Sequence, residues 1–236
     1  AEPILLAFCG GLDTSSCVPW LKETYGRPVI TVTVDTGGIS ADAAKVLDRR
    51  ARELGAQDHI LVSSCDGYFN QVLKFLVMGN IRRGQLYPLC VGAERVMQAQ
   101  TIAEWARKLG TKIVAHGCTA AGNDQVRFEL TYTALAPNLK IIAPWREWTM
   151  KSRRELIEYA DRHGIPITAT KAKPYSMDLN LFHVSYEGGI LEDPWESPPD
   201  EIFQMTVSPE QAPNKPLEVE IGYEAGNPVS VDGKKM

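Results

Sequence analysis

Gly10-Gly11-Leu12-Asp13-Thr14-Ser15 follows directly on an apolar run ending Ala7-Phe8-Cys9, so a strand passes through paired glycines into the start of a helix. Without a Cβ, Gly10 and Gly11 let the backbone turn tightly and bring unhindered N–H groups up to a ligand. The helix that follows aims its partially positive end at the same place, so the loop suits a phosphate without needing net positive charge. A plain strand-to-helix turn would use the same residue types, because Gly-Gly with Asp13 and Thr14 also serves turn and cap chemistry. No Lys-Ser/Thr pair follows the glycines, which excludes a Walker loop, and the GxGxxG spacing of dinucleotide folds is also absent. Asp35 ends the second apolar run, where a dinucleotide-binding protein places its ribose carboxylate. It also opens a Gly37-Gly38 turn, for which turn propensity is sufficient reason.

A second constellation, His116-Gly117-Cys118-Thr119-Ala120-Ala121-Gly122-Asn123-Asp124-Gln125-Val126-Arg127-Phe128-Glu129, again joins a strand end to a helix start. Residues there project from the carboxyl edge of a parallel sheet, where open α/β sheets bind ligands. Arg127 can hold a carboxylate bidentately, Asn123 can donate and accept, and Asp124 can pair with an ammonium group. Those are handles for an amino acid. The same residues have a plainer use, with Asn-Asp capping the helix and Arg127 pairing with a surface acid.

The elements that must position these groups read as an α/β alternation. Ile4 to Phe8, Val29 to Val34, His59 to Val62, Lys112 to Ala115 and Lys140 to Ala143 are expected strands. Thr14 to Tyr25, Ala41 to Leu54, Arg95 to Leu109, Gly122 to Ala134 and Arg153 to His163 are expected helices. A parallel sheet with helices on both faces accommodates that pattern. Ser152 with Glu155 three residues on forms a capping-box signature, and Gly164 with Pro166 closes the same helix. After Ile165-Pro166 the chain becomes Pro- and Gly-punctuated, which predicts a first domain over 1–165 and a smaller, truncated α+β region over 166–236. Leu217 to Tyr223 and Pro228 to Val231, around Ala225-Gly226-Asn227, predict a hairpin that needs partners.

The 236 residues are 44% hydrophobic and 23% charged, an ordinary globular composition, and the formal charge is -4. No basic surplus points to nucleic acid or an anionic membrane, so a bound anion must be caught locally. No apolar run reaches the roughly 20 residues needed to cross a bilayer, and the first residues lack a signal-peptide start. A cytoplasmic protein is expected. The five cysteines are scattered without a CxxC pair, so neither a disulfide framework nor a metal site is expected.

The run Ala7-Phe8-Cys9-Gly10-Gly11-Leu12-Asp13-Thr14-Ser15 resembles the pyrophosphate loop of the ATP-pyrophosphatase superfamily. The second block resembles the signature of the argininosuccinate synthase family. The likeness continues through Ile142-Ala143-Pro144-Trp145-Arg146-Glu147, Lys173-Pro174-Tyr175-Ser176-Met177-Asp178-Leu179-Asn180-Leu181 and Val184-Ser185-Tyr186-Glu187-Gly188-Gly189-Ile190-Leu191-Glu192. It implies an adenine nucleotide α-hydrolase-like fold and an ATP site lined by Ala7, Cys9, Gly10, Gly11, Leu12, Asp13, Thr14, Ser15, Val34 and Gly117. Aspartate would be bound by Thr119, Asn123 and Asp124, and citrulline by Tyr87, Asn123, Arg127, Ser176 and Ser185. Asp13, Asp124 and Arg127 would carry the catalytic burden, with ATP and Mg2+ required and a homo-oligomer, a tetramer, as the assembly.

The sequence departs from the family pattern at four points. Cys9 stands in place of Ser, Ala121 in place of Lys, Gly92 in place of a hydroxyl residue, and the chain stops soon after the hairpin. These departures frame one alternative, a catalytically weak paralogue that binds ATP or amino acids as a sensor or partner subunit. A second alternative is a superfamily member that adenylates another substrate. His116 and His163 read as structural, Trp145 and Trp148 as packing, and Arg82-Arg83 and Lys234-Lys235 as solvated.

Overall fold

The structure, a computed structural model, describes residues 1–120, 122–166 and 176–236. β1 (Ile4–Ala7), α1 (Leu12–Tyr25), β2 (Val29–Asp35), α2 (Ala41–Glu53) and β3 (Asp58–Ser63) come first. A helical run follows, in which α3 (Cys65–Tyr68) passes through a π-helical stretch (Phe69–Leu73) into α4 (Lys74–Met78). Then come α5 (Cys90–Leu109), β4 (Ile113–Ala115), α6 (Asn123–Leu135), β5 (Lys140–Ile142), α7 (Pro144–Glu147) and α8 (Arg153–Arg162).

The five strands form one parallel sheet in the order β3-β2-β1-β4-β5. β1 is central, so its residues feed both faces. Ile4 and Leu6 join α1, α8 and Ala51 in one apolar layer, while Leu5 joins α5 and α6 in the other. All three are fully buried, each contributing roughly 1.5 to 3 kcal/mol of apolar burial. Burial on both faces explains why β1 reads as a continuous apolar run rather than an alternating one. The chain runs outward from β1 through β2 to β3, then returns past β1 to β4 and β5. That reversal opens a crevice at the carboxyl ends of β1 and β4.

The capping box of α8 is present, with Glu155 N donating to Ser152 Oγ and Ser152 N donating to Glu155 Oε2, both at 3.2 Å. α5 starts at Cys90, earlier than the expected Arg95, and no capping side chain marks that start. The run from Cys65 to Met78, for which no helix was expected, packs through Tyr68 and Leu73 on Met97 of α5.

Beyond residue 175, β6 (Ser176–Leu179) and β7 (Val184–Glu187) form an antiparallel hairpin. Two short 3₁₀ turns follow (Gly189–Glu192 and Asp200–Ile202), then a three-stranded sheet of β8 (Ile221–Glu224), β9 (Asn227–Val231) and β10 (Lys234–Lys235). The expected hairpin forms around Ala225-Gly226, whose φ values of 48° and 79° belong to the turns that match strand twist. Its first strand begins at Ile221 rather than Leu217, because Glu220 is engaged with Asp232 instead of the ladder. The hairpin's partners are β10 and Met78 of α4, which lies against Gly226. Among the described residues no helix is long and apolar enough to cross a membrane.

Candidate active site

The end of β1 is fixed before the loop begins. Phe8 N donates to Val32 O at 2.9 Å, and Thr33 Oγ1 donates to Phe8 O at 2.6 Å. Ala7 is half-buried beside β2, and Val34 is buried in the layer under α5. Gly10 then takes φ 73°, a left-handed conformation, and Gly11 becomes the N-cap of α1 without a side-chain capping bond. The first helical bond runs from Ser15 N to Gly11 O at 2.9 Å. Thr14 bridges the loop, with Cys9 Sγ at 3.4 Å from Thr14 Oγ1 and Thr14 Oγ1 donating to Gly11 O at 3.4 Å. The Oγ atoms of Ser15 and Ser16 are buried with no hydrogen-bond partner among the described residues. Leu12 is buried and Cys9 is exposed.

Asp13 lies in the first turn of α1, where Trp145 Nε1 donates to its Oδ1 at 3.0 Å. Burial raises the Asp13 carboxyl above its ordinary 3.8, and the Trp145 bond and the field of Arg153 pull it back only in part. Trp145 also packs on Trp148, with ring centroids 5.2 Å apart, so the packing expected of it is present along with a polar contact that was not expected. Asp35 Oδ1 accepts from Gly37 N, Gly38 N and Ile39 N at 2.8 to 3.2 Å. Its carboxylate therefore shapes the turn after β2, the plainer of the two uses expected of it.

The two constellations meet. A Cβ added at Gly117 would lie 2.9 Å from Thr14 Cγ2, so only a glycine lets the β4 loop close onto α1 here. Thr119 is exposed and its carbonyl accepts from Gly122 N at 3.4 Å, which leads into α6 with Asn123 exposed in its first turn. Asp124 sits between two arginines. Arg127 Nη1 donates to its Oδ1 at 2.7 Å and Arg95 Nε to its Oδ2 at 3.0 Å. Arg95 also donates through Nη2 to Asp178 Oδ1 at 2.6 Å, which ties α5, α6 and β6 together. Burial alone would lower the Arg95 guanidinium, but the fields of Asp178, Asp124 and Glu94 outweigh it and raise it. Gly92 lies beside the Arg127 guanidinium, and a Cβ there would stand 3.5 Å from it, an ordinary van der Waals contact.

Ser185 is paired with Asp178 across the β6-β7 hairpin, and Ser176 opens β6 opposite Glu187. The hairpin is held to the sheet edge from two sides. Leu181 N donates to Thr36 O at 2.8 Å, and Asn180 Nδ2 donates to the buried Glu94 Oε2 at 2.9 Å. Gly37 and Gly38 accept Leu181 and Leu179 so closely that a Cβ at either would collide. Tyr87 lies on the loop between α4 and α5 rather than on the sheet edge, exposed, with a backbone bridge to Arg83. Ala121 and Lys173-Pro174-Tyr175 lie outside the described residues.

His116 is buried, with Nε2 3.1 Å from Glu129 Oε1, and burial lowers its pKa despite that carboxylate. Arg146 bonds the same Glu129 oxygen. His163 stacks on Tyr159 at 3.9 Å and bonds the Tyr159 carbonyl at the C-terminus of α8. Both histidines are hydrogen-bonded within the fold. Arg82, Arg83, Lys234 and Lys235 are exposed. Arg95 and Asp178 were not singled out from sequence. Asp178 stands in a block already noted for its likeness, whereas Arg95 carries no local signal. Among the described residues no group of three or more His, Cys, Asp or Glu side chains is placed to hold a metal ion.

Comparison with known proteins agrees with this geometry. Residues 3–166 match the arginosuccinate synthase N-terminal HUP domain and residues 175–236 the arginosuccinate synthase C-terminal domain. The chain is 47% identical over 237 residues to the argininosuccinate synthase of Moorella thermoacetica, covering 100% of this chain and 57% of that protein. It is 46% identical to those of Leptospira biflexa, over 235 residues, and Carboxydothermus hydrogenoformans, over 237, covering 100% of this chain and 58% of each. It thus spans somewhat over half the length of these relatives. With a parallel nucleotide-type sheet, a glycine loop and an arginine-flanked α6 meeting at one edge, and both family domains matched in order, the chain belongs to the argininosuccinate synthase family.

Proposed function

We propose that the protein joins citrulline to aspartate at the expense of ATP. The ureido oxygen of citrulline attacks the α-phosphorus, pyrophosphate leaves, and the aspartate amine then displaces AMP from the citrulline-adenylate to give argininosuccinate. The observation that carries this reading is the contact between the Gly117 loop and Thr14, which puts an anion-suited loop and an amino-acid-suited helix start at one crevice. In a chain of net charge -4, helix N-termini and Arg127 supply the local positive potential the phosphates and carboxylates need.

On this reading residues 1–165 bind ATP through Ala7, Cys9 to Ser15, Val34 and Gly117, and residues 166–236 begin the substrate region. The N–H groups at the start of α1, which no side chain caps, and the buried, unpartnered Ser15 Oγ fit a phosphate group. Mg2+ would accompany the nucleotide and would offset the charge of its phosphates. Thr119, Asn123 and Asp124 face aspartate, while Tyr87, Asn123, Arg127, Ser176 and Ser185 face citrulline. Because citrulline supplies the attacking oxygen, Asp13, Asp124 and Arg127 act by positioning and charge stabilisation rather than as nucleophiles. A cytoplasmic homotetramer accords with the family resemblance. Pyrophosphate release is the test: release that requires citrulline, with argininosuccinate formed once aspartate is added, supports the reading, and release indifferent to both amino acids overturns it.

A further inference from the structure

Arg50 lies on α2, outside every residue assigned above, yet it reaches the phosphate loop. Its Nη1 donates to the Gly10 carbonyl oxygen at 2.5 Å. Leu47, one turn earlier on α2, packs under the same residue: a Cβ at Gly10 would stand 2.5 Å from Leu47 Cδ2. Two neighbouring side chains of one helix therefore form the floor of the loop, one by contact and one by hydrogen bond.

The consequence follows from peptide geometry. In a trans peptide the C=O and the N–H point to opposite sides. The Gly10 carbonyl shares its peptide with the Gly11 N–H, so drawing the oxygen toward α2 turns that N–H away from α2. Gly11 is the N-cap of α1 and has no side-chain capping bond. No hydrogen bond from the Gly11 N–H to another group is found among the described residues. Arg50 also brings a positive charge to within one peptide of the loop, whose own residues from Cys9 to Ser15 include no Lys or Arg.

We propose that Arg50 is a positioning residue of the nucleotide site: it holds the Gly10-Gly11 peptide so that the Gly11 N–H faces the bound phosphates. This rests on the reading of the loop as a phosphate loop. A charge-assisted bond to a backbone carbonyl holds a peptide more firmly than solvent does. The ligand then meets an N–H already turned toward it, and less ordering is left to be done on binding.

Calorimetric titration of inorganic pyrophosphate and of Mg-ATP into the 236-residue chain tests this, together with thermal melting and the amide resonance of Gly11. Arg50→Met is expected to melt close to the parent chain and to bind both probes about tenfold more weakly. It should also shift the Gly11 amide resonance of the unliganded protein. Arg50→Lys, which keeps a cationic donor, is expected to recover most of the affinity. Unchanged affinity in Arg50→Met overturns the proposal, as does an unmoved Gly11 resonance, since the peptide would then be held by something else. A parent chain that binds neither probe overturns the phosphate-loop reading itself and this inference with it.

Discussion

Trp145 Nε1 donates to Asp13 Oδ1 at 3.0 Å, joining residues 132 apart in sequence. The two residues after Trp145 make comparable long-range contacts. Arg146 bonds Glu129 of α6, and Glu147 accepts from Tyr25 at the end of α1. The short helix α7 thus clips both ends of α1 to α6, and it holds the one carboxylate of the Cys9–Ser15 glycine loop in a fixed orientation.

Burial raises the Asp13 carboxyl above 3.8, so the folded chain holds that proton more tightly than the unfolded chain does. The associated stability is fully present below pH 3.8 and is lost as pH rises through the folded value. Asp13→Asn should therefore melt above the parent at pH 7, with the gap closing toward pH 4. The bond from Trp145 opposes the shift. Trp145→Phe should cost about 1 kcal/mol at neutral pH and less in acid, where the carboxyl is neutral. Melting curves of the three proteins between pH 4 and pH 7 check both signs, and parallel curves would refute the burial argument.

The paired glycines should separate stability from binding. Gly10 has φ 73° and Leu47 beneath it, so Gly10→Ala is expected to destabilise the fold by roughly 1 to 3 kcal/mol. Gly11 has φ -72°, and a Cβ there would meet only Cys9 Sγ, at 3.5 Å. Gly11→Val should leave the melting temperature nearly unchanged and abolish ATP binding, because its side chain occupies the face the phosphates approach. Retained ATP affinity by calorimetry would remove that assignment.

Arg127 is bonded to Asp124, which Arg95 holds independently through its other oxygen. A substrate carboxylate must therefore compete with Asp124 for Arg127, while Arg95 keeps Asp124 in place. Arg127→Ala should weaken citrulline binding by about 1.5 to 3 kcal/mol and leave ATP binding nearly intact. The reverse order of losses in a pair of titrations would mean that Arg127 serves the nucleotide.

Among Cys9, Cys17 and Cys118, only Cys9 is exposed. Burial pushes the Cys118 thiol up to about 12, and burial raises Cys17 as well. Iodoacetamide at pH 8 should label Cys9 well before Cys17 or Cys118, and Mg-ATP should slow the labelling. Cys9→Ser should bind ATP at least as well as the parent, since a hydroxyl is the better hydrogen-bonding group. Mass spectrometry of the labelled chain checks both points; equal rates with and without nucleotide would show that Cys9 does not face the phosphates.

Local chemistry was readable in the residues themselves. Apolar periodicity marked the strands of the sheet and its five long helices, and Ser152 with Glu155 announced a cap that the structure contains. The glycines after β1 and the Asn123 to Arg127 helix start were visible because turns and helix ends use a few residue types at fixed offsets. The run from Cys65 to Met78 and the β6-β7 hairpin were not legible, since one is broken by a π-helical stretch and the other is held by distant partners. Only the fold decided that Gly117 meets Thr14, that Arg50 holds Gly10, and that Arg95 joins Asp124 to Asp178. These pairs lie 29 to 103 residues apart, and no spacing rule reaches that far. Sequence patterns act over one turn or one strand; the strand order and the packing on its two faces set which distant groups share a crevice.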